Sequence, residues 1–594
     1  MLKKVLLAIL DNFEGYVSQV LLAFFVLILL LQIFLRQFGH PLYWTEELAR
    51  YSFVWFVFFG ASYAARLAAH NRVTIQFRPF PKWVGDACML LSDGVWLFFN
   101  IVMVVESLTV IRELREFPYA TPALDWQLSY IYFIFPIAFT LMSARIIQVN
   151  VMKFILKKEL TAPDRIEIEE SRKAFADGGK PSALLGSPIT VALGVAAMAA
   201  LYTVDQNLVT LVQIAFTSVN SFPIMALPAF MLVGALMECA GISRRLVAIA
   251  ENIVGPIPGG LAVSTALACV FFGAISGSGP ATTAAVGMLM IPAMIRRGFS
   301  KGYAAAAAAT AGGVGIIIPP SIPMVVYAVS GQQSITKMFL AGVMPGIMIA
   351  VGLAAMHLFL CRNMPVAEDL QSGSGDSLLK ALKDGLWSLM APVVILGGIY
   401  GGFFTPTEAA VVAIFYSIFV GLFIHRELTF GGIRHSLQIT SWMTGRVLII
   451  MFTAYAFERL LVQYRIPDMI VEHILGFTSD VAVIWMFVIA LLLFLGMFME
   501  TLAIILLATP VLLPVMTAFG VDPIHFGVVL VCCCGVGFST PPLGENIFIA
   551  SGIADTTLED ISYNALPFVF VTVGVIILCV FVPDIVLFLP RMMY

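Results

Sequence analysis

Charge is what this sequence has least of. Asp, Glu, Lys and Arg make up 12% of 594 residues, against about 25% in a typical soluble domain. The 33 Lys and Arg do not outnumber the 36 Asp and Glu, so there is no basic surface for nucleic acid. The eight cysteines fall mostly inside apolar runs, with neither a zinc spacing nor a disulfide framework, and read as small packing residues. No G-x-x-x-x-G-K-[ST] string offers a nucleotide-phosphate cradle, and no H-E-x-x-H string offers a zinc site. An intramembrane hydrolase using Ser276 or Cys532 to Cys534 as nucleophile would lack an evident histidine base. The histidines (His40, His70, His357, His425, His435, His473 and His525) show no ligand spacing.

What the chain has instead is apolar length. Hydrophobic residues reach 60% and the mean hydropathy is +0.97. Runs at 17–35, 481–499 and 566–582 are long enough to span a hydrocarbon core of about 30 Å. The first span follows Lys3-Lys4 without a small-residue cleavage site, so it reads as an anchor and not a removed leader. Counting basic residues as cytoplasmic puts the N terminus inside, along with the loops carrying Arg66, Arg72, Arg78 and Lys82 and, later, Arg145, Lys153, Lys157 and Lys158. Four spans therefore occupy a module at 1–156. A polar linker at 157–183, with Pro163, Gly178-Gly179 and Pro181, joins it to a larger module at 184–594. A short helix at 184–203 opens that second module.

The larger module echoes itself. Pro292, Gly313-Val314-Gly315 and Pro319-Pro320 recur as Pro514, Gly535-Val536-Gly537 and Pro541-Pro542, each 222 positions on. Paired hydrophobic segments interrupted by Gly and Pro are the sequence mark of a transporter's binding site. Between the basic clusters Arg244-Arg245 and Arg296-Arg297, residues 252–295 carry no Asp, Glu, Lys or Arg, and Ser276-Gly277-Ser278-Gly279-Pro280 interrupts the run. An apolar segment with both ends on one side must turn back within the membrane, and non-helical backbone there is tolerated only when buried or lining a cavity. This predicts a re-entrant hairpin at 259–295 and a broken helix at 302–330. A second hairpin at 481–519, whose lone charge is Glu500, and a broken helix at 524–550 form an inverted copy.

The strings FFGAISGSGPAT, GGVGIIIPPSIPMVVYA, GGFFTPTEAAVVA and GVGFSTPPLGENIFIA, with FPIMALPAFMLVGALMECAGIS earlier, resemble the large membrane subunit of TRAP (tripartite ATP-independent periplasmic) transporters. Residues 1 to about 155, including Trp44-Thr45-Glu46-Glu47-Leu48-Ala49-Arg50, are similar to the small four-helix subunit, so the chain reads as a fusion of the two. The resemblance implies an all-α polytopic membrane protein of the bacterial inner membrane that is not an enzyme. It would be an elevator-type secondary transporter with inverted repeats, two re-entrant hairpins and two broken helices, plus a four-helix scaffold module, its C terminus periplasmic. It implies no ATPase subunit and no organic cofactor. A periplasmic substrate-binding protein would deliver an organic acid, sialic acid first among fused members, and Na⁺ would drive its uptake.

Helix ends expose unpaired carbonyls and N–H groups, which suit Na⁺ and a carboxylate respectively. With the sodium itself implied by the resemblance, Ser276, Ser278, Gly312, Val314, Gly315 and Pro319 are the expected ligands of one ion. Thr501, Gly535, Gly537, Thr540 and Pro541, joined by Thr405 from a third polar break, are expected to hold a second. Substrate is assigned to Ser276, Ser278, Thr540 and Asn546. Neither hairpin nor the broken helix after it contains Arg, which leaves carboxylate recognition to dipoles, hydroxyls or Lys337. Glu500 reads as a cation or interdomain contact or as a solvated tip, and Glu408 as a helix cap. Trp44 suits a lipid interface, while Glu46 and Arg50 sit four apart for a helical pair. A channel is disfavoured by twofold broken helices. A Na⁺/carboxylate symporter that needs no binding protein, and a TRAP transporter for C4-dicarboxylates, remain the alternatives.

Overall fold

The computed structural model describes residues 12–40, 42–67, 82–155, 189–203, 206–254, 257–362, 378–497, 499–540 and 544–593. The linker at 157–183 and the basic residues Lys3, Lys4, Arg72, Arg78, Lys157 and Lys158 lie outside them. In chain order the α-helices longer than five residues are α1 (Phe13–Gln37), α2 (Tyr43–Arg66), α3 (Lys82–Glu116), α4 (Ile134–Asn150), α5 (Ile189–Thr203), α6 (Val209–Val219), α7 (Ala226–Cys239) and α8 (Ile242–Val254). Then come α9 (Gly260–Ser276), α10 (Gly279–Arg296), α11 (Lys301–Gly312), α12 (Ile322–Ser330), α13 (Ile335–Cys361), α14 (Leu378–Tyr400), α15 (Pro406–Phe419) and α16 (Phe430–Gln463). The last are α17 (Ile466–Phe477), α18 (Val481–Gly496), α19 (Thr501–Ala518), α20 (Pro523–Gly537), α21 (Glu545–Ala554), α22 (Leu558–Phe581) and α23 (Pro583–Met593). Eight helices among the described residues are long and apolar enough to cross a membrane. The all-α, multi-spanning class that the resemblance implies is what the described residues adopt.

Two compact units form, and they cut the chain differently from the two sequence modules. The first takes the four-helix module together with α5, α6 and most of α16. Its core is aromatic: Phe58 meets Phe135 edge-on at 4.8 Å and Phe25 meets Phe53 at 5.6 Å, geometries that add to area burial. Phe99 of α3 lies 6.4 Å from Phe452 of α16. Small residues then bring α2 and α16 into backbone contact at Gly60 and Gly445, the close approach that stands in for a hydrophobic driving force inside lipid.

Two carboxylates hold this unit's ends. Glu14, fully buried, takes a two-pronged contact from Arg145, Nε to Oε1 at 2.7 Å and Nη2 to Oε2 at 2.6 Å. Glu47, 3% exposed, accepts the N–H groups of Ala123 at 2.9 Å and Leu124 at 2.7 Å and the Tyr51 hydroxyl at 2.9 Å. It thereby pins the loop between α3 and α4. Glu46 and Arg50 do approach, but only to 4.0 Å and half-exposed, which contributes a few tenths of a kcal/mol. Glu47→Ala leaves three donors unpaired, so it should destabilise by about 2 kcal/mol and open residues 119–127 to protease. Unchanged proteolysis and melting would count against the pin.

The second unit contains α8 to α15 and α17 to α23, with most of α7. Here the repeat is complete. Gly279 and Thr501 open α10 and α19, 222 apart; Lys301 and Pro523 open α11 and α20 at the same offset. Helices α9 and α10 pack on each other, whereas α18 packs chiefly on α20 and α19 packs on both α12 and α20.

Candidate functional site

The first hairpin turns where the Ser-Gly cluster places it. Helix α9 ends at Ser276; Gly277 follows with φ 61°, and a Cβ there would also lie 2.6 Å from the Pro320 carbonyl. Only glycine meets both conditions. Ser278 caps α10, accepting the Ala281 N–H at 3.5 Å. Ser276 Oγ accepts the Ser278 N–H at 3.1 Å, while Thr282 Oγ1 donates to the Ser278 carbonyl at 2.6 Å. The tip lies against the first break: the Ile322 N–H donates to the Gly277 carbonyl at 3.3 Å.

That break consists of the end of α11 at Gly312, a 3-10 turn over Gly313–Ile316, and a non-helical stretch to Ser321, which caps α12. Ser321 Oγ donates to the Ile316 carbonyl at 2.5 Å and accepts the Met324 N–H at 3.3 Å. Gly312, Val314, Gly315 and Pro319 are all buried. Thr283 of α10 presses on Gly312, since a Cβ at Gly312 would overlap its Oγ1. This hydroxyl oxygen is buried without a hydrogen-bond partner.

The second break is built alike. Gly537 ends α20, Thr540 Oγ1 donates to the Val536 carbonyl at 2.7 Å, and α21 resumes at Glu545. Gly315 faces Gly273 of the first hairpin, and its counterpart Gly537 faces Gly496 of the second, both at backbone distance. Thr501, buried at the start of α19, lies beside Cys534. Pro541 lies outside the described residues.

The two breaks meet. A Cβ on Gly313 would stand 2.6 Å from the Gly535 carbonyl oxygen, and one on Gly535 would stand 3.0 Å from that of Gly313. Before the first break, the Ala309 carbonyl accepts Asn546 Nδ2, from beyond the second break, at 3.0 Å. Beyond the first break, Tyr327 covers Gly527, from before the second, and donates to the Pro523 carbonyl at 2.5 Å. First half therefore lies beside second half in both directions: the broken helices run antiparallel, as inverted repeats require. A small crevice opens at this crossing, lined by Thr310, Gly313, Val314, Gly535, Val536 and Ser539, with residues of α13 and α22 beside it.

Comparison with known proteins gives this architecture a family. Residues 182–585 match the model of "Tripartite ATP-independent periplasmic transporter, DctM component", and residues 25–155 match that of the DctQ component. The chain belongs to the TRAP transporter family. It is a fused permease of that family, with small and large subunits on one polypeptide. It is 36% identical to the isethionate TRAP transporter permease DctMQ of Oleidesulfovibrio alaskensis, over 94% of this chain and 90% of that one. Identity to the C4-dicarboxylate TRAP transporter large permease of Rhodobacter capsulatus is also 36%, over 69% of this chain and 96% of that one. To the fused sialic acid TRAP transporter permease of Haemophilus influenzae it is 27%, over 95% and 96%.

Within this TRAP permease the expected site residues divide. Ser276, Ser278, Gly312, Val314, Gly315 and Pro319 gather around the first break, and Thr501, Gly535, Gly537 and Thr540 around the second. Thr405 is the N-cap of α15. It is exposed and closes a capping box, Thr405 Oγ1 accepting the Glu408 N–H at 3.3 Å and Glu408 Oε2 accepting the Thr405 N–H at 2.9 Å. Glu408 is thus the cap, and α15 packs on α14. Asn546, expected to donate to substrate, has its amide nitrogen committed to Ala309 and is fully buried. Glu500 stands at the N-cap position of α19, half-buried. Thr282, Thr283 and Ser539 were not anticipated. Their signal was present as hydroxyl residues beside the Ser-Gly tip and the Thr-Pro-Pro break, but hydroxyls are common helix-packing residues in membranes.

Proposed function

We propose that this TRAP permease is the membrane component of a Na⁺-driven importer of a small organic anion delivered by a periplasmic binding protein. The observation that carries the reading is the meeting of two helix breaks, each covered by a hairpin. Their donor set suits Na⁺: hydroxyls and backbone carbonyls, all neutral oxygens, with Thr283 Oγ1 buried and unpartnered at the first break. Ser276, Ser278, Thr283 and the Gly312–Gly315 backbone would hold one ion, and Thr501, Thr540 and the Gly535–Gly537 backbone the other. Each bound ion supplies the positive charge that favours an anion nearby. The part that holds both hairpins and both breaks would move as an elevator against a scaffold that the four-helix module enlarges, with the N terminus cytoplasmic and the C terminus periplasmic.

For the substrate, a small sulfonate of the isethionate kind ranks ahead of sialic acid, because the fused isethionate relative is the more similar of the two fused permeases, at 36% against 27%. Proteoliposomes with the full chain, a cognate binding protein and an inward Na⁺ gradient should take up labelled isethionate. Competition with sialic acid and succinate then ranks the anions. Sodium-driven uptake without any binding protein would replace this reading with a binding-protein-independent symporter. Ser278→Ala and Thr540→Ala should each weaken Na⁺-dependent uptake several-fold while the protein still folds. Wild-type sodium dependence in both variants would remove these hydroxyls from the ion sites.

A further inference from the structure

The two breaks share one polar junction, and its chemistry is lopsided. At the end of α11 the Gly313 N–H turns to the carbonyls of Thr310 and Ala311. That tighter pattern leaves the Ala309 carbonyl without its helical donor, four residues on. Two side chains from the other repeat fill the place: Ser539 Oγ at 2.9 Å and Asn546 Nδ2 at 3.0 Å. Both residues belong to the second break, 230 and 237 positions away from Ala309.

The reverse link does not exist in the sequence. At the offset of 222, Ser539 corresponds to Ile317 and Asn546 to Met324, neither of which can donate a hydrogen bond. Packing alone would be served by such apolar side chains. Asn546 even leaves its Oδ1 buried and without a partner, which costs about 1–3 kcal/mol. An apolar side chain would avoid that orphan oxygen, so what the amide supplies here is a donor to the freed carbonyl. That carbonyl lies one turn before Gly313, so a shift of the second break moves the first through this junction and through the Gly313–Gly535 backbone contact.

We propose that Ser539 and Asn546 are positioning residues that couple the two cation sites, so that an ion bound at one break pre-forms the other and the two bind cooperatively. This rests on the Na⁺ reading above. Coupling of this kind is reciprocal and typically changes affinity about 5- to 150-fold.

The experiment is a Na⁺ titration of the purified full chain, read by Na⁺-dependent thermal stabilisation and by uptake in proteoliposomes, with K⁺ as control. Wild type should respond with a Hill coefficient above unity. Ser539→Ala, and independently Asn546→Met, should raise half-saturating Na⁺ about tenfold, within the range for such coupling, and bring the Hill coefficient toward unity. Ser539→Thr, which keeps the hydroxyl, should retain wild-type values, as a purely volumetric role would not require. A cooperative wild type with folded Ser539→Ala or Asn546→Met unchanged in Hill coefficient overturns the coupling and leaves the sodium reading standing. A wild type that ignores Na⁺ overturns both.

Discussion

Gly313→Val should abolish uptake while leaving a folded protein in the membrane. The first atom added, Cβ, lands 2.6 Å from the Gly535 carbonyl oxygen and 3.4 Å from its carbon, with Ser539 Oγ at 3.6 Å. The obstacle is backbone, which cannot rotate aside as a side chain would. Valine adds two further methyl groups on a stiff, β-branched side chain. Overpacking of this kind costs about 1–3 kcal/mol, which the extensive buried core around the crossing can absorb. The damage falls on geometry instead. Parting the breaks by about an ångström displaces the carbonyls of both, and a misplacement of that size costs on the order of a hundredfold where reacting or binding groups must converge. Uptake in proteoliposomes, set beside thermal unfolding of the same preparation, checks this. Near-normal uptake by a well-folded Gly313→Val protein would mean that the crossing is not the working part. Gly313→Ala should fall between the two.

The second large effect concerns assembly. In Gly445→Val the new Cβ would sit 2.1 Å from the Gly60 carbonyl carbon and 2.2 Å from the Ala61 nitrogen. Helices α2 and α16 would have to separate along a face that also carries buried Trp442 and Phe452. The Gln438–Tyr63 hydrogen bond of 3.0 Å spans the same face. Inside lipid, helices associate through close van der Waals packing and have little hydrophobic drive to bring them back, so a lost approach is not recovered by collapse. The expected cost is about 3 kcal/mol, the upper end for overpacking. It should be read as loss of a monodisperse species after detergent extraction and a large fall in melting temperature. Alanine at 445 should give a partial effect. A normal elution profile for the valine variant would show that α2 and α16 can part without consequence.

The two substitutions differ in how visible their basis is in sequence. Gly313 belongs to a Gly-x-Gly string repeated at a fixed offset, and an offset preserved from the hairpin tips to the last proline pairs demands an explanation. Gly60 and Gly445 have no such signal. One lies in a small-subunit-like segment and the other in a large-subunit-like segment, and no periodicity connects them. The same holds for Glu47, whose three partners include two main-chain N–H groups of a loop 76 and 77 positions away. Backbone donors carry no sequence identity. Thr405 shows the opposite case: Thr-Pro-Thr-Glu is equally the signature of a break and of a capping box, and the structure shows the capping box.

Sequence by itself determined the membrane environment, the fusion of two modules, the paired hairpins and broken helices, and the residues that gather at each break. These follow from chain-local physics: apolar length against bilayer thickness, Gly and Pro against helix continuity, and charge against lipid. Only the tertiary structure decided that the breaks touch and that the broken helices run antiparallel. It also decided that α16 joins the four-helix module, and that Ser539 and Asn546 hold the carbonyl released at Ala309. Each of these is a contact between segments far apart in the chain, several of them through main-chain atoms that every residue shares. The sequence specifies such contacts only through the fold as a whole.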